Sequence, residues 1–514
     1  MRVASQMETA QKQWFGHPRG LSTLFFTEMW ERFSYYGMRG ILLLFLVNSV
    51  ATGGFGMTDR VGAAIYGLYV GLVYLMALPG GWVADRILGQ RQAVFVGGCF
   101  ITAGHFSMAI PTVTTFYLGL CLIVIGTGLL KPNVSAMVGD LYPEGGARRD
   151  AGFSVFYSGI NTGALFGPLV CGFLGERINW HLGFGAAGVG MILGLMQYRL
   201  GGKYLGGAGL RQADEAGDPA RRTAIRSLIT VLAICAGVVL LAALLQTAGV
   251  LHLTLYGVAQ GTGFFMLGLA ILYFGSVILF SRLSVAEKKR VAVVFVFFMA
   301  AVFFWAGYEQ AGSSMNLFAE RLTNRFLGSW EMPASWLQSV NPIFVIAFGP
   351  VFGALWVRLR SREPSAPAKM GYGLVFLAGG FLLLAWAATF TVGGGKVSML
   401  WLVGAYLLHT VGELCLSPVG LSSVTKLVPR RLVGQMMGTW FMGTALGNLI
   451  AGLAAGGFAG MGTGELFAAV GKVTGVAGLV LLIFSRPIRA LIGQLPSGLP
   501  ATVPIGTKEK SAPA

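Results

Sequence analysis

The chain has 514 residues, 55% of them hydrophobic and only 11% charged, with a formal net charge of +17. Soluble domains carry roughly a quarter charged residues, so this composition excludes an ordinary soluble chain and points to a helical protein that crosses a membrane many times. The positive balance reads as topological, not as a nucleic-acid footprint, because cytoplasmic loops of membrane proteins collect Lys and Arg.

Taken in order, the N-terminal stretch MRVASQMETAQKQWFGHPRG is polar, and no cleavable signal is expected in it. A spanning helix needs about 20 apolar residues, and the apolar runs predict six spans near 21–50, 61–83, 92–111, 114–139, 152–175 and 181–199. A Gly-rich, charged linker follows over 200–225, then two more spans near 226–248 and 255–280. Six further spans fall near 291–319, 335–357, 370–391, 398–425, 433–459 and 465–486, which makes fourteen. The expected organisation is an N-terminal six-helix bundle (1–200), a linker with two additional helices (201–289), a C-terminal six-helix bundle (290–490) and a disordered, Pro-rich cytoplasmic tail (491–514). Most of the 37 basic residues lie in one alternating set of loops, which includes DRILGQR, YPEGGARRD and VRLRSREPSAPAK. The other set holds only Arg60, Arg177, Arg321, Arg325 and Lys396. The basic set, with both termini, is therefore expected in the cytoplasm.

A weak internal repeat supports equivalent halves. Pro132 and Pro143 in GLLKPNVSAMVGDLYP are spaced like Pro418 and Pro429 in ELCLSPVGLSSVTKLVP. The five cysteines, Cys99, Cys121, Cys171, Cys235 and Cys415, stand inside apolar segments with no CxxC spacing, so neither a disulfide framework nor a metal site is expected.

The first span carries four charges in TEMWERFSYYGMRG. At 100° per residue, Glu28, Glu31, Arg32, Tyr35, Tyr36 and Arg39 share one arc of about 140°, while Met29, Trp30 and Phe33 lie on another face. An ionisable residue at mid-membrane costs about 2.5–3.5 kcal/mol even on the mild insertion scale. Further charges lie in other spans: Lys131 in GLLKPN, Glu309 in WAGYEQ and Glu413 in VGELCLSP. Leaving aside Lys472, near the end of the chain, these add up to four acids against three bases. A desolvated carboxylate with no cation beside it takes up a proton, which is the chemistry of a proton-coupled cavity.

At these residues a family becomes recognisable. Glu28-Met-Trp-Glu31-Arg32-Phe33-Ser-Tyr35-Tyr36-Gly37 resembles the ExxERFxYYG signature of the proton-dependent oligopeptide transporters, within the major facilitator superfamily. GGWVADRILGQR, FYSGINTG (156–163) and GELCLSPVG (412–420) resemble further motifs of that family, in order along the chain. The resemblance implies an all-α membrane fold of two six-helix bundles, with the extra helix pair of prokaryotic members. It implies a proton-driven importer of di- and tripeptides that works as a monomer by alternating access in the inner membrane, with protons as coupling ion and no other cofactor. Arg32, Lys131 and Arg39 match positions for the peptide carboxylate, and Glu413, Asn161 and Asn341 match positions for its ammonium. Tyr36, Tyr69 and Tyr157 match tyrosines that bind the peptide backbone, while Trp305, Ser417, Leu421 and Trp440 match further site positions. Proton coupling is implied for Glu28, Glu31, Arg32, Lys131 and Glu309, and an outer gate for Arg39 with Glu309. One departure stands out: animal members place a proton-related His in the second helix, where this chain has Gly67. Coupling must then rest on carboxylates.

Three other readings compete. The same fold could carry nitrate, an amino-acid conjugate or a drug, although Glu413 has no task with a purely anionic ligand. An intramembrane enzyme lacks support, since neither HExxH nor GxSxG occurs. A channel could use intramembrane charges to line a pore, but two equivalent halves favour rocking around a central site.

Overall fold

The computed structural model describes residues 13–144, 146–210, 219–457 and 462–493. From residue 494 onward the predicted tail lies outside them. Every predicted span falls on a helix. The first half comprises α1 (Gly20–Val47), α2 (Asp59–Leu75) with its continuation α3 (Ala77–Val83), α4 (Gln90–Ala109), α5 (Val113–Asp140), α6 (Gly146–Arg177) and α7 (Trp180–Gly201). Two more helices follow, α8 (Pro219–Thr247) and α9 (Leu255–Phe280). The second half comprises α10 (Val285–Tyr308) with the short α11 (Ser314–Arg321), then α12 (Val340–Leu359), α13 (Ala366–Thr389), α14 (Leu400–Leu427), α15 (Val433–Gly457), α16 (Thr463–Ile483) and the terminal α17 (Ser485–Ile492). Among the described residues, ten helical stretches are long and apolar enough to cross a membrane. The other four spans are the charged α1 and the Gly-rich α6, α7 and α15.

Local chemistry sets where the helices start. Thr58, Thr112 and Thr254 cap α2, α5 and α9 by accepting a backbone N–H three residues on. Ser284 and Glu287 form a reciprocal capping box at α10. Two departures from straight spans matter for function. The predicted span 61–83 bends at Met76, and the predicted span 291–319 breaks after Tyr308. At the second break, Glu309–Gly312 form a 3₁₀ turn, and Ser313 takes φ −121°, ψ −102° before α11 begins. Irregular backbone at membrane depth is tolerated where it is buried in protein, and Glu309 is 2% exposed.

In the first half α1 packs on α6 and α7, and α4 on α5 and α7; in the second, α13 packs on α14 and α16, and α10 on α15. Pro132 has no N–H for the carbonyl of Gly128. Gly80 of α3 packs directly on that freed oxygen, and a Cβ there would lie 2.0 Å from it. The halves meet most closely where α2 runs along α15. A Cβ built on Gly67 would lie 2.8 Å from the Cα of Gly452 and 3.0 Å from the carbonyl of Leu449. That contact accounts for the missing histidine, because the backbones leave no room for a ring. The extra helix α9 packs on α2, α15 and α10 beside this seam. Helix α8 buries only Ala224 and turns the rest of its apolar surface outward.

This seam makes a stability prediction. Gly67→Ala overpacks two backbones and should cost about 1–3 kcal/mol, lowering the thermal midpoint followed by tryptophan fluorescence in detergent. Gly268→Ala on α9, where a Cβ meets open space, should leave the midpoint unchanged or slightly raised.

Candidate functional site: a charged cavity between the halves

The polar stripe of α1 forms as its angular spacing requires. Arg32 is 2% exposed and faces two carboxylates. Its Nη2 donates to Glu31 Oε1 at 2.6 Å, and its Nε lies 3.3 Å from Glu28 Oε1. The second oxygen of Glu28 is buried with no hydrogen-bond partner. Below and above the tyrosine pair, the guanidinium of Arg32 sits 4.9 Å from the Tyr35 ring centroid and that of Arg39 sits 4.9 Å from the Tyr36 centroid. These aromatic faces hold the cations where lipid and water cannot.

Arg39 Nη1 donates to Glu309 Oε2 at 2.5 Å across the two halves. The break after α10 is what turns Glu309 toward α1. On α5, Lys131 forms no ion pair with a described carboxylate, and its Nζ rests 3.6 Å from the Tyr74 ring centroid. On α6, the Asn161 side chain donates to the backbone oxygen of Tyr157 at 3.0 Å. This bond lies within one helix, and Asn161 lines the cavity. Among the described residues, Glu413 forms no ion pair with a cation. The Tyr308 hydroxyl lies 2.5 Å from its Oε2, and the same hydroxyl lies 3.0 Å from Asn341 Oδ1.

These groups enclose a cavity of about 180 Å³. Glu28, Arg32, Tyr36, Arg39, Lys131, Tyr157 and Asn161 line it from the first half, and Trp305, Asn341 and Glu413 from the second. Trp305 presents a buried Nε1 with no hydrogen-bond partner. Of the remaining expected residues, Glu31 sits behind Arg32 and Glu309 behind Arg39. Tyr69 is 3% exposed and does not line the cavity. Ser417 lies four residues beyond Glu413, its hydroxyl buried without a partner. Trp440 packs its ring on Gly420, away from the lining. The side chain of Leu421 lies outside the described residues. The lining also includes Tyr74, Tyr308, Gln338, Tyr406 and His409, which the sequence reading missed. The available signal was position: Tyr308 directly precedes Glu309, and His409 lies four residues before Glu413 on one helix.

Ties between the halves gather at the end of the bundle opposite the chain termini. Arg321 forms a two-pronged pair with Asp59, at 2.7 and 2.9 Å. Arg177 pairs with Glu331 at 3.2 Å, and Arg325 binds the same carboxylate at 2.9 Å. Glu176 of α6 accepts from the backbone of Ala334 at 2.6 Å and of Ser335 at 3.0 Å. Asn316 and Trp336 donate to the backbone of Gly40 and Leu169, both at 2.8 Å. Three of the five basic residues in the sparse loop set are thus engaged with acids.

Two helical halves around an enclosed, charged cavity, tied together at one end, are the architecture of a membrane transporter. The chain belongs to the POT family, whose family model matches residues 91–463, and it is not an enzyme. It is 40% identical to the peptide transporter YePEPT of Yersinia enterocolitica over 94% of this chain and 97% of that protein. It is 35% identical to a di-/tripeptide transporter of Lactococcus lactis subsp. cremoris, over 95% and 99% of the two chains. A crystal structure of a peptide transporter POT in complex with sulfate superposes with a TM-score of 0.88 at 40% identity, covering 95% of this chain and 99% of that one.

The Arg39–Glu309 ion pair joins the two halves, and neutralising Glu309 would leave Arg39 without its acid. With the five native cysteines replaced and cysteines placed at Asp59 and Arg321, bis-maleimide crosslinking should fall at low pH. The fall should vanish in Glu309→Gln. An equal pH response in both backgrounds would remove Glu309 from the tie.

Proposed function

We propose that this transporter is a proton-coupled symporter that imports di- and tripeptides by alternating access. In this reading it acts as a monomer in the inner membrane, both termini are cytoplasmic, and protons are the coupling ion with no other cofactor. One observation carries the proposal: the cavity holds a cation without a carboxylate partner, Lys131, on one half, and a carboxylate without a cation partner, Glu413, on the other. A short peptide carries a carboxylate at one end and an ammonium at the other, so it completes both. Charges removed from water without a partner cost several kcal/mol each, and a ligand of that dipolar pattern is therefore selected. Nitrate would satisfy only the Lys131 side. Fixed charges at both ends read the peptide backbone, and the apolar and aromatic walls at Trp305 and Tyr157 admit many side chains.

Coupling follows from the charge count. Glu28 and Glu31 share one guanidinium, which leaves a surplus negative charge beside Lys131. A proton on Glu28, through its unpartnered oxygen, cancels that surplus and frees Lys131 for the peptide carboxylate. A proton on Glu309 loosens the tied end, which in this orientation is the outer mouth. The cavity then opens toward acid and closes again once the proton leaves.

Two measurements in proteoliposomes test this reading. Glu28→Gln or Glu31→Gln should lower uptake of labelled dialanine under a pH gradient by at least tenfold while sparing counterflow; normal concentrative uptake in either mutant would refute the coupling role. Competition against dialanine by N-acetylated dialanine, amino acids, nitrate and drugs should rank free peptides first. In Glu413→Gln the penalty for the acetyl group should shrink at least tenfold, since the carboxylate that reads the ammonium is gone.

A further inference from the structure

Away from the central cavity, a second hollow of about 510 Å³ lies among α12, α13 and α14, toward the end of the bundle that carries the chain termini. Its two ends differ in chemistry. Toward the middle of the spans its walls are Gly349, Phe352 and Gly353 of α12 with Leu414, Pro418 and Val419 of α14. Further along α12, about 10 Å from Gly349 at 1.5 Å per residue, Trp356 marks the polar end. Lys369, Ser423, Lys426 and Glu363 gather there.

The hollow exists because these helices do not close on one another. Helix α12 buries only Pro342 and Val345, both in its first two turns. Beyond them, Gly349 and Gly353 stand one turn apart, and a Cβ on either would meet open space. The charge is uneven as well. Lys369, in the first turn of α13, is 5% exposed; its Nζ lies 4.0 Å from the Trp356 ring centroid and pairs with Glu363. Glu363 is the one acid among the lining residues, so that pair cancels. Lys426 is exposed and forms no ion pair with a described carboxylate, which leaves one net positive charge at the polar end. An ammonium has three N–H donors, so Lys369 can hold Glu363 and a second oxygen together. Basic residues at this end follow from topology alone. Topology does not supply an apolar trough leading away from them into the spans.

We propose that this hollow is a lipid site. It holds an anionic glycerophospholipid, with the phosphate at Lys369, Lys426 and Ser423 and one acyl chain laid between α12 and α14 along Gly349 and Gly353. The order of polar head and apolar tail matches the order of the walls, and basic pockets between membrane helices are a recurring fit for anionic headgroups. A soluble anion would leave the trough unused. A zwitterionic lipid would bring an ammonium to an end that is already positive. The bound chain supplies the packing that α12 lacks beyond its first two turns. In the orientation proposed above, the lipid comes from the cytoplasmic leaflet.

Native mass spectrometry of the full-length protein in detergent tests the site. With phosphatidylglycerol added, one lipid should stay bound under activation that strips phosphatidylcholine; equal retention of both would overturn the proposal. Lys426→Gln should lower the retention of phosphatidylglycerol about fivefold, the worth of one cation beside an anionic lipid. Arg222→Gln, which removes one exposed charge at the start of α8, should leave it unchanged. Gly353→Leu keeps every charge, has room to fold and fills the trough. It should lower retention about tenfold or more, the worth of two methylenes kept out. Equal losses in Lys426→Gln and Arg222→Gln, or full retention in Gly353→Leu, would overturn the lipid site. Displacement by an equal concentration of sn-glycerol 3-phosphate would make the hollow a site for soluble phosphate and overturn it too. These readouts require neither peptide nor a proton gradient, so they stand apart from the transport reading.

Discussion

Everything in this bundle depends on one constraint: charge buried among apolar helices must find an opposite charge, a ring face or a hydrogen bond. Four acids and three bases meet that demand in four different ways. Arg32 holds two carboxylates, Arg39 reaches across to Glu309, Lys131 rests on Tyr74, and Glu413 leans on neutral donors. Such pairs are poor sources of stability, since well-packed apolar residues often do as well, yet breaking one partner costs about 3–5 kcal/mol. Retaining them makes sense where the partner is meant to change. All of these groups but Glu31, which backs Arg32, face the cavity or reach across to the other half.

The irregular backbone serves the same end. Without the break after Tyr308, the helix would carry Glu309 round with its own face instead of delivering it to Arg39. Without Pro132, the Gly128 carbonyl would be spent inside α5, and α3 could not dock on it through Gly80. Close glycine contacts along α2 and α15 bring the halves together without any interlocking side chain, which suits surfaces that must shift relative to one another.

Much of this was legible in the sequence, because two of its signals are strong. Apolar runs of membrane length mark helices almost regardless of context, and the 100° period placed the α1 charges on one face. The tyrosine faces beneath Arg32 and Arg39 follow from that same period. What escaped was long-range. The Tyr308–Glu413 bond joins residues 105 apart, and no local pattern encodes it. The stretch YEQAGSS gave little warning of a break, because its only helix breaker is Gly312. Tyr74 and Tyr69 stand on one apolar run with the same residue type, and only packing decides that the first lines the cavity and the second does not. The sparse-loop arginines read as leftovers of topology, whereas their partners, Asp59 and Glu331, make them clasps.

Those clasps are partly wet. The Asp59 and Arg321 side chains are 37% and 45% exposed, and Glu331 and Arg177 are 27% and 29% exposed. Ion pairs of that kind contribute about 0–1 kcal/mol each, and dissolved salt screens them over roughly 8 Å at physiological ionic strength. The buried Arg39–Glu309 pair, at 6% and 3% exposure, is shielded from that screening. The two halves are thus fastened in two ways. Dissolved salt reaches the clasps at Asp59 and Glu331, whereas the Arg39–Glu309 pair keeps its strength whatever the salinity of the medium.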